Sequence, residues 1–511
     1  MRRDRLVPGA VQSRAAPDTL WALFSAGRPA DGGARLLATP DGIRYSYDDA
    51  WRRSSALAAE LAARGLARGD RVAVRTEKSP AVVLLYLACV RSGVVFAPLN
   101  PAATPHEVAL LLEDLDPSLV VTDAVLADLV RPEVLPGASG SSFEDTDCGA
   151  DETAAILYTS GTTGRPKGAV LSHRNLASNA VALIDAWGFS SDDVLLHALP
   201  VFHAHGLFVA LNCVLGSGAS MEYLPRFEVD GVLDAIGRCS VFMGVPTYYT
   251  RLLAQARFGA RDCASMRLFV SGSAPLAASV HEEFLLRTGH SILERYGMTE
   301  TLMLTSNPLS GERRPGTVGL PLAGVEIRVM DAETGEPTGL GLTGEIEVRG
   351  PGVFSGYWHE HEHEHEHEPE PEPAGLFRDG FFRTGDLGRF DRDGYLELVG
   401  RSRDVVITGG LNVYPKEVEL VLDAIDGVAE SAVIGMPDPD FGEAVVAFVV
   451  PQPGHRPGAD DLRQVVRSLL AGYKVPKRIE FVDALPRNAM GKVAKAELRD
   501  RAHPSGPRAV G

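Results

Sequence analysis

Hydrophobic residues in the first part of the chain alternate between helical and strand spacing. Leu57, Leu61 and Ala62 recur at helical spacing within residues 45–66, and Gly65 follows where the helix is predicted to end. The same alternation continues with a strand at 71–74, a helix at 81–90, a strand at 94–96 and a strand at 117–122. Repeated helix–strand units predict an α/β fold in which helices cover parallel sheets.

The C-terminal part is predicted to form a smaller α+β unit. Its strands are predicted at 432–434 and 445–450, and its helices at 417–422 and 461–470. A chain of 511 residues exceeds one compact core. We therefore predict an N-terminal domain over residues 1–402 and a C-terminal domain over residues 403–511, with a loose tail from about residue 500.

Two segments are polar enough to interrupt this pattern. Residues 136–152 combine Gly, Ser and acidic side chains and are predicted to be a surface linker. Residues 359–373 alternate His with Glu and then Pro with Glu. Alternating imidazoles on one face of an extended chain are compatible with metal binding. Because the segment has no apolar side chains with which to pack, we interpret it as a solvated loop without an assigned function.

Composition and charge exclude several classes of protein. The chain has 50 basic and 67 acidic residues, a formal charge of -17, which argues against a nucleic-acid surface. The 5 cysteines are an odd number without a CxxC pair, so a disulfide framework or zinc site is not expected. No apolar core follows the basic N-terminus, and the apolar run at 81–90 is too short to span a bilayer. We expect a cytoplasmic protein that has no membrane or nucleic-acid partner and is a monomer or a weak homodimer.

The segment at 157–168 carries the clearest chemical signal. An apolar strand leads into hydroxyl residues, glycines and a lysine: Thr159, Ser160, Gly161, Thr162, Thr163 and Lys167. Glycines allow close backbone approach to an anion, and the hydroxyl groups can donate to phosphate oxygens. Gly168 follows Lys167, whereas a Walker A loop requires Lys followed by Ser or Thr, so a P-loop NTPase is disfavoured. A Gly/Thr-rich surface loop remains the alternative from composition alone.

This segment resembles the triphosphate loop of the adenylate-forming superfamily, which includes acyl-CoA synthetases, peptide-synthetase adenylation domains and luciferases. Further motifs resemble those of the same family in the same order, at residues 200–206, 294–300, 383–386, 400–419 and 486–492. The resemblance extends from about Trp21 to Arg499. It implies a large N-terminal domain, a small mobile C-terminal domain, and an ATP-dependent, AMP-forming ligase that uses Mg²⁺ and coenzyme A.

The resemblance also implies roles for individual residues. The nucleotide would be bound by Thr159, Ser160, Gly161, Thr162, Thr163, Lys167, Ser273, Ala274, Tyr296, Gly297, Thr299, Asp386 and Arg401. Thr299 would contact the α-phosphate, and Glu300 would coordinate Mg²⁺ through carboxylate oxygen. Taken singly, Thr299 and Glu300 could also form a helix N-terminus. Lys492, with Thr299 and Glu300, would be catalytic in the first half-reaction.

The C-terminal motifs resemble those of the family with two departures. Met490 stands where Ser or Thr is usual, and Arg403 occupies the hinge position where Asp or Lys is common. The resemblance implies that the C-terminal domain rotates at this hinge. That motion would bring Gly409 and Gly410 against the pantetheine arm of coenzyme A, where glycine permits close approach.

The choice of acid depends on the acyl-pocket motif. His203 stands where amino-acid-activating relatives carry an aspartate, so amino acids are disfavoured, and no carrier domain follows the lysine motif, which favours free coenzyme A. Arg295 precedes the Tyr-Gly pair and offers a planar fork for a second carboxylate. Together with the segments at 270–274 and 202–206, this motif resembles that of the malonyl-CoA synthetases. The resemblance implies that Arg295 binds the distal carboxylate with help from Ser273 and His205, and Arg226 is a weaker second candidate for binding an anion.

Alternatives to this interpretation remain open from the sequence. Arg295 could instead form an ion pair with Glu294. The substrate could be a short or aryl monocarboxylic acid, or the acceptor could be a carrier protein. A non-catalytic nucleotide-binding protein on the same fold is the alternative from another class.

Overall fold

A computed structural model describes most of the chain. The described residues are 17–131, 143–159, 167–332, 334–359, 375–408, 411–438, 441–455, 457–488 and 491–502. They divide into two compact units, the first within Met1–Glu326 and Val348–Gly380 and the second within Ile327–Glu347 and Phe381–Gly511. The second unit thus includes residues that precede the predicted domain boundary at 402/403. The hinge at Arg403 concerns motion and stays a prediction.

The helices and strands of the described residues have the following bounds. The helices are α1 Leu20–Gly27, α2 Tyr47–Ala63, α3 Pro80–Ser92, α4 Pro105–Leu115, α5 Asp123–Leu129, α6 His173–Trp187, α7 Asn212–Ser217, α8 Val229–Ile236, α9 Pro246–Leu253, α10 Ala278–Thr288, α11 Pro415–Asp423, α12 Ala459–Leu469 and α13 Lys495–Ala502. A π-helix spans His205–Leu211, and short 3₁₀ helices span Ser402–Asp404 and Gly472–Lys474.

The strands are β1 Arg35–Ala38, β2 Arg44–Ser46, β3 Arg71–Val74, β4 Val95–Pro98, β5 Leu119–Val121, β6 Thr153–Thr159, β7 Lys167–Ser172, β8 Val194–His197, β9 Ser220–Tyr223, β10 Val241–Gly244, β11 Leu268–Ser271, β12 Leu293–Met298, β13 Leu302–Ser306, β14 Leu320–Pro321, β15 Glu326–Met330, β16 Gly344–Arg349, β17 Phe377–Arg378, β18 Phe381–Phe390, β19 Leu396–Arg401, β20 Val406–Thr408, β21 Leu411–Val413, β22 Val428–Asp438, β23 Gly442–Pro451 and β24 Arg478–Phe481.

Two sheets form the framework of the first unit. One has the order β14-β13-β12-β11-β10-β8-β9-β1-β2, and the other has the order β5-β3-β4-β6-β7. The central pairs are parallel, whereas β6–β7, β12–β13, β13–β14 and β1–β2 are antiparallel. The predicted α/β class is therefore confirmed, and the sequence did not reveal the antiparallel pairs at the sheet edges.

The predicted elements of the first unit match short, strongly apolar segments. Strand β3 has the predicted bounds of 71–74, and α3 covers the predicted helix at 81–90. Pro80 begins α3, where its missing N–H costs nothing, and Gly93 ends the helix with a φ of 72°, a conformation that glycine adopts without strain. Every side chain of α3 from Val82 onward is buried, which explains the continuous apolar run.

An aromatic core supports β10 and β11, and β11 leads directly into Gly272 and Ser273. Tyr249, Phe242, Phe269 and Phe284 are fully buried together behind β10 and β11. The rings of Tyr249 and Phe284 meet edge-on, with centroids 5.4 Å apart. The Tyr249 hydroxyl donates to the carbonyl of Val270 at 2.6 Å, so the ring is fixed against β11.

The second unit contains the predicted α+β domain. Strands β20–β24 form a sheet of order β21-β20-β23-β22 in which β24 pairs with β23. Strands β22 and β23 contain the predicted segments 432–434 and 445–450, α11 contains the predicted helix at 417–422, and α12 ends one residue before the end of the predicted helix at 461–470. Strand β18 pairs with β19 in a separate antiparallel sheet.

Three further predictions have different outcomes. Residues 143–152 form neither helix nor strand, as predicted for the linker, whereas the rest of the linker and the His/Glu/Pro segment from residue 360 lie outside the described residues. All five cysteines are free, four of them buried, as predicted, and Cys148 half-buried. Within the described ranges, no helix is long and apolar enough to cross a membrane.

Candidate active site

The predicted phosphate loop connects two antiparallel strands. Strand β6 ends at Thr159 and β7 begins at Lys167, and these two residues face each other across the pair. Ser160, Gly161, Thr162 and Thr163 lie outside the described residues. Because a strand follows the loop where a Walker A motif requires a helix, the distinction from P-loop NTPases is confirmed.

Thr299 and Glu300 lie in the turn between β12 and β13. The alternative that they begin a helix is therefore wrong. A Cβ at Gly297 would lie 2.0 Å from the carbonyl oxygen of Leu302, so only glycine fits where the two strands approach. Glu300 is buried, and Tyr296 on β12 is buried opposite Thr305.

Arg295 on β12 meets two other predicted pocket residues. A Cβ at Gly272 would lie 2.4 Å from the Arg295 guanidinium carbon, so the guanidinium packs directly on the backbone after β11. Ser273 follows with a φ of 71°, and its hydroxyl lies 3.4 Å from Nδ1 of His205 in the π-helix. We call Arg295, His205 and Ser273 the arginine cluster.

The arginine cluster is a buried positive site. Arg295 is 4% exposed, and within the described residues its Nε and Nη2 atoms have no hydrogen-bond partner and it forms no ion pair with a carboxylate. Burial lowers the pKa of Arg295 to about 9, and the nearby Tyr249 only partly offsets this. The alternative ion pair with Glu294 is therefore absent. A desolvated guanidinium with free donors is suited to binding an anion.

The two pocket histidines add no positive charge to the arginine cluster. Burial lowers the pKa of His203 to about 4. Burial, together with the charge of Arg295, holds the pKa of His205 well below its usual range. Both imidazoles are therefore neutral at pH 7 and can donate or accept hydrogen bonds. Arg226 is largely exposed and pairs with Glu228 at 2.6 Å, so the structure gives it no contact with the arginine cluster.

The second unit brings Asp386, Arg401 and Lys492 together. Asp386 on β18 faces Arg401 on β19, and Arg401 Nε lies 2.9 Å from Asp386 Oδ1. The Asp386 N–H donates to the Thr384 hydroxyl at 3.1 Å, which fixes the backbone around Gly385. This arrangement leaves a buried carboxylate oriented by an arginine.

Lys492 is held by a tight turn. Its N–H donates to the Asn488 side chain at 3.0 Å, and its carbonyl accepts from the Asn488 N–H at 2.9 Å. Burial lowers the pKa of Lys492 to about 8, with Arg401 lowering it further and Asp386 opposing.

Arg403 lies in the 3₁₀ helix Ser402–Asp404. Gly409, Gly410 and Met490 lie outside the described residues.

The donor set of the first unit fits a magnesium ion that arrives with a nucleotide. Among the described residues, no group of three or more His, Cys, Asp or Glu side chains is placed to hold a metal ion by itself. Mg²⁺ bound to ATP needs only one or two carboxylates, because phosphate oxygens and water complete its shell. Glu300 supplies such a carboxylate in the β12–β13 turn.

Sequence reasoning missed several residues that contact the predicted site. Tyr357 donates to Glu300 Oε1 at 2.9 Å. His197 Nδ1 lies 2.9 Å from Nζ of Lys78, and His197 Nε2 lies 2.9 Å from the carbonyl oxygen of Gly206 beside His205. Residues 78 and 197 are 119 positions apart, so no local pattern relates them. The Gly-Tyr-Trp sequence at 356–358 is the local signal that could have drawn attention to Tyr357.

Two families of known proteins match successive parts of the chain. The family described as AMP-binding enzyme matches residues 26–358, and the family described as AMP-binding enzyme C-terminal domain matches residues 417–492. The crystal structure of ATP-bound MatB from Rhodopseudomonas palustris is 48% identical, with a TM-score of 0.88 over 95% of this chain and 98% of that chain.

Two curated relatives show the range of acids involved. The feruloyl-CoA synthase of an Amycolatopsis species is 37% identical over 474 residues, which are 90% of this chain and 94% of the relative. The mitochondrial malonate–CoA ligase ACSF3 of Mus musculus is 36% identical over 533 residues, which are 93% of this chain and 90% of the relative.

The chain therefore belongs to the AMP-binding enzyme family of adenylate-forming proteins. Within that family it is an AMP-forming acyl-CoA synthetase that binds ATP, and it is similar to malonate–CoA ligases.

Proposed function

We propose that this enzyme joins malonate or methylmalonate to coenzyme A. The observation that carries the proposal is the arginine cluster, in which Arg295 is buried with two donor atoms that have no partner in the described residues. A second carboxylate would satisfy those donors, and His205 and Ser273 would hydrogen-bond to its oxygens. A monocarboxylate with an apolar tail would leave the guanidinium desolvated and unpaired.

The nucleotide would be held by the residues that the family resemblance implies. Thr159, Ser160, Thr162, Thr163 and Lys167 would bind the β- and γ-phosphates, and Thr299 would donate to the α-phosphate. Asp386 would accept from the ribose hydroxyls, and Tyr296 would stack on adenine. A Mg²⁺ ion held by Glu300 would neutralise phosphate charge.

The chemistry would proceed in two displacements. One carboxylate oxygen of the acid attacks the α-phosphorus, the bond to the bridging oxygen breaks, and pyrophosphate leaves. Lys492 stabilises the negative charge shared by the reacting oxygens. The thiol sulfur of coenzyme A then attacks the acyl carbonyl, loses its proton, and AMP leaves. Rotation at Arg403 would exchange Lys492 for the Gly409–Gly410 segment between these steps.

Pyrophosphate release with a panel of acids tests this proposal. ATP, Mg²⁺ and coenzyme A are combined with malonate, methylmalonate, acetate, butyrate, octanoate or benzoate. We expect turnover with malonate or methylmalonate and its loss in Arg295→Ala, while Arg226→Ala, which removes an exposed arginine, retains it. Preference for a monocarboxylate that survives Arg295→Ala would overturn the dicarboxylate assignment.

A second candidate is an aryl-acid ligase, because the relatives also include a feruloyl-CoA synthase and an indoleacetate–CoA ligase. Adding ferulate and indoleacetate to the panel distinguishes the two candidates. A holo carrier protein in place of coenzyme A tests the acceptor. A cytoplasmic location and a monomeric or weakly dimeric state are separate proposals, tested by cell fractionation and sedimentation.

A further inference from the structure

Residues 354–358 connect the two predicted phosphate-handling elements of the first unit. We call them the connecting segment. At its start, the Phe354 N–H donates to the carbonyl oxygen of Glu300 at 2.8 Å. Three residues later, the Tyr357 hydroxyl donates to Glu300 Oε1 at 2.9 Å. The segment therefore fixes both the backbone and the carboxylate of Glu300.

The other edge of the connecting segment pairs with β7, which begins at Lys167. The Trp358 N–H donates to the carbonyl oxygen of Gly168 at 2.7 Å, and Tyr357 forms an antiparallel bridge with Ala169. These backbone contacts place the Tyr357 ring 4.9 Å from the ammonium nitrogen of Lys167. A cation over an aromatic face at this distance is attracted by the ring quadrupole.

The connecting segment is itself anchored. The Trp358 indole N–H donates to the carbonyl oxygen of Asp114 at 3.1 Å, and the Arg71 guanidinium lies 5.5 Å from the indole ring. Phe354 is buried, and its ring meets that of Tyr357 with centroids 5.0 Å apart. A side chain fixed on this many sides can hold its neighbours in one geometry.

We propose that Tyr357 is a positioning residue for the magnesium–triphosphate group. Its hydroxyl orients the Glu300 carboxylate while its ring holds the Lys167 ammonium. One side chain therefore sets the spacing between the magnesium ligand and the lysine that binds phosphate. This inference rests on the roles assigned to Glu300 and Lys167 in the proposed function. It is independent of which acid is activated.

Calorimetric binding of ATP, without any acid and with either Mg²⁺ or EDTA, tests the proposal. Tyr357→Phe keeps the ring and loses the hydroxyl, so we expect ATP affinity to weaken about tenfold with Mg²⁺ and little with EDTA. Tyr357→Leu also removes the ring and should weaken binding under both conditions. Tyr158→Phe is the matched control, because Tyr158 lies on β6, next to β7, and its hydroxyl donates to the carboxylate of Asp114 in α4 at 2.6 Å.

A double-mutant comparison with Glu300→Gln separates positioning from general structural support. If Tyr357 acts through Glu300, the losses of Mg²⁺-dependent affinity in Tyr357→Phe and Glu300→Gln will not add. Additive losses, an unchanged Tyr357→Phe, or equal losses with Mg²⁺ and EDTA would each overturn the inference. If Glu300→Gln itself keeps the full Mg²⁺ preference, the assignment of Glu300 is the step that fails.

Discussion

Replacing Arg295 with Met should stabilise the protein while abolishing its activity on a dicarboxylate. Methionine is apolar, is of similar length, and can occupy the space above Gly272. Within the described residues the Arg295 charge is buried without a carboxylate partner, and burial lowers the pKa of Arg295 to about 9. Lowering the pKa of a base below its unfolded value means that the charged form destabilises the fold at every pH below that lowered value.

The expected size of the effect follows from that pKa. A fall from the ordinary value for arginine to about 9 corresponds to about 5 kcal/mol, at about 1.4 kcal/mol per tenfold change in affinity for the proton. Relaxation of the folded state reduces this free-energy cost. Replacing buried ionic groups with well-packed apolar ones often raises the free energy of unfolding by about 1 to 4 kcal/mol. We therefore expect Arg295→Met to raise the unfolding midpoint by a few degrees.

Thermal unfolding with and without malonate provides the assay. Malonate should raise the unfolding midpoint of the wild type by mass action and leave that of Arg295→Met unchanged. Excess malonate should therefore reduce the difference between the two midpoints. Arg226→Met is the control, because Arg226 is exposed. Its replacement should change neither the unfolding midpoint nor the shift of that midpoint with malonate. A destabilised Arg295→Met that malonate still stabilises would refute the reasoning about both charge and ligand.

Two further predictions concern the nucleotide half of the reaction. Pyrophosphate release by the wild type should fall as pH rises through about 8, because deprotonation removes the Lys492 charge. In Lys492→Arg any residual activity should persist to higher pH. Identical pH profiles for the two proteins would contradict this role of Lys492. Gly297→Ala would place a Cβ 2.0 Å from the Leu302 carbonyl oxygen, so the Thr299–Glu300 turn must shift, with a cost above about 1 kcal/mol. Calorimetric MgATP binding and thermal unfolding measure that loss, and Gly231→Ala, which meets no atom within 4 Å, should unfold like the wild type.

The helix–strand order could be predicted where local sequence decides it. Strand β3 matches its predicted bounds because the short, mostly apolar segment 71–74 directly follows the turn glycines Gly65 and Gly69. Helix α3 is predictable because its buried side chains form one continuous apolar run that ends just before Gly93. These signals involve residues close in the chain, so no knowledge of the tertiary fold is needed.

The antiparallel edge pairs and the site contacts could not be predicted in the same way. Strands β12 and β13 are joined through Thr299 and Glu300, whose polar character gave no sign of a strand pair rather than a helix start. Tyr357 contacts Glu300 across 57 residues of chain. Such contacts depend on which strands become neighbours, and tertiary packing determines that outcome.

The two arginines assigned to the site illustrate how charge and specificity are connected. Arg401 is paired with Asp386, so its charge is compensated whichever acid is present. Arg295 has no such partner in the described residues, so only a ligand with a second anionic group can compensate it. A site with buried, unpaired donors rejects an analogue lacking the matching group by about 10⁴-fold or more, whereas one methyl group changes selectivity by only about 10- to 200-fold. The arginine cluster should therefore separate malonate from butyrate far more strongly than malonate from methylmalonate.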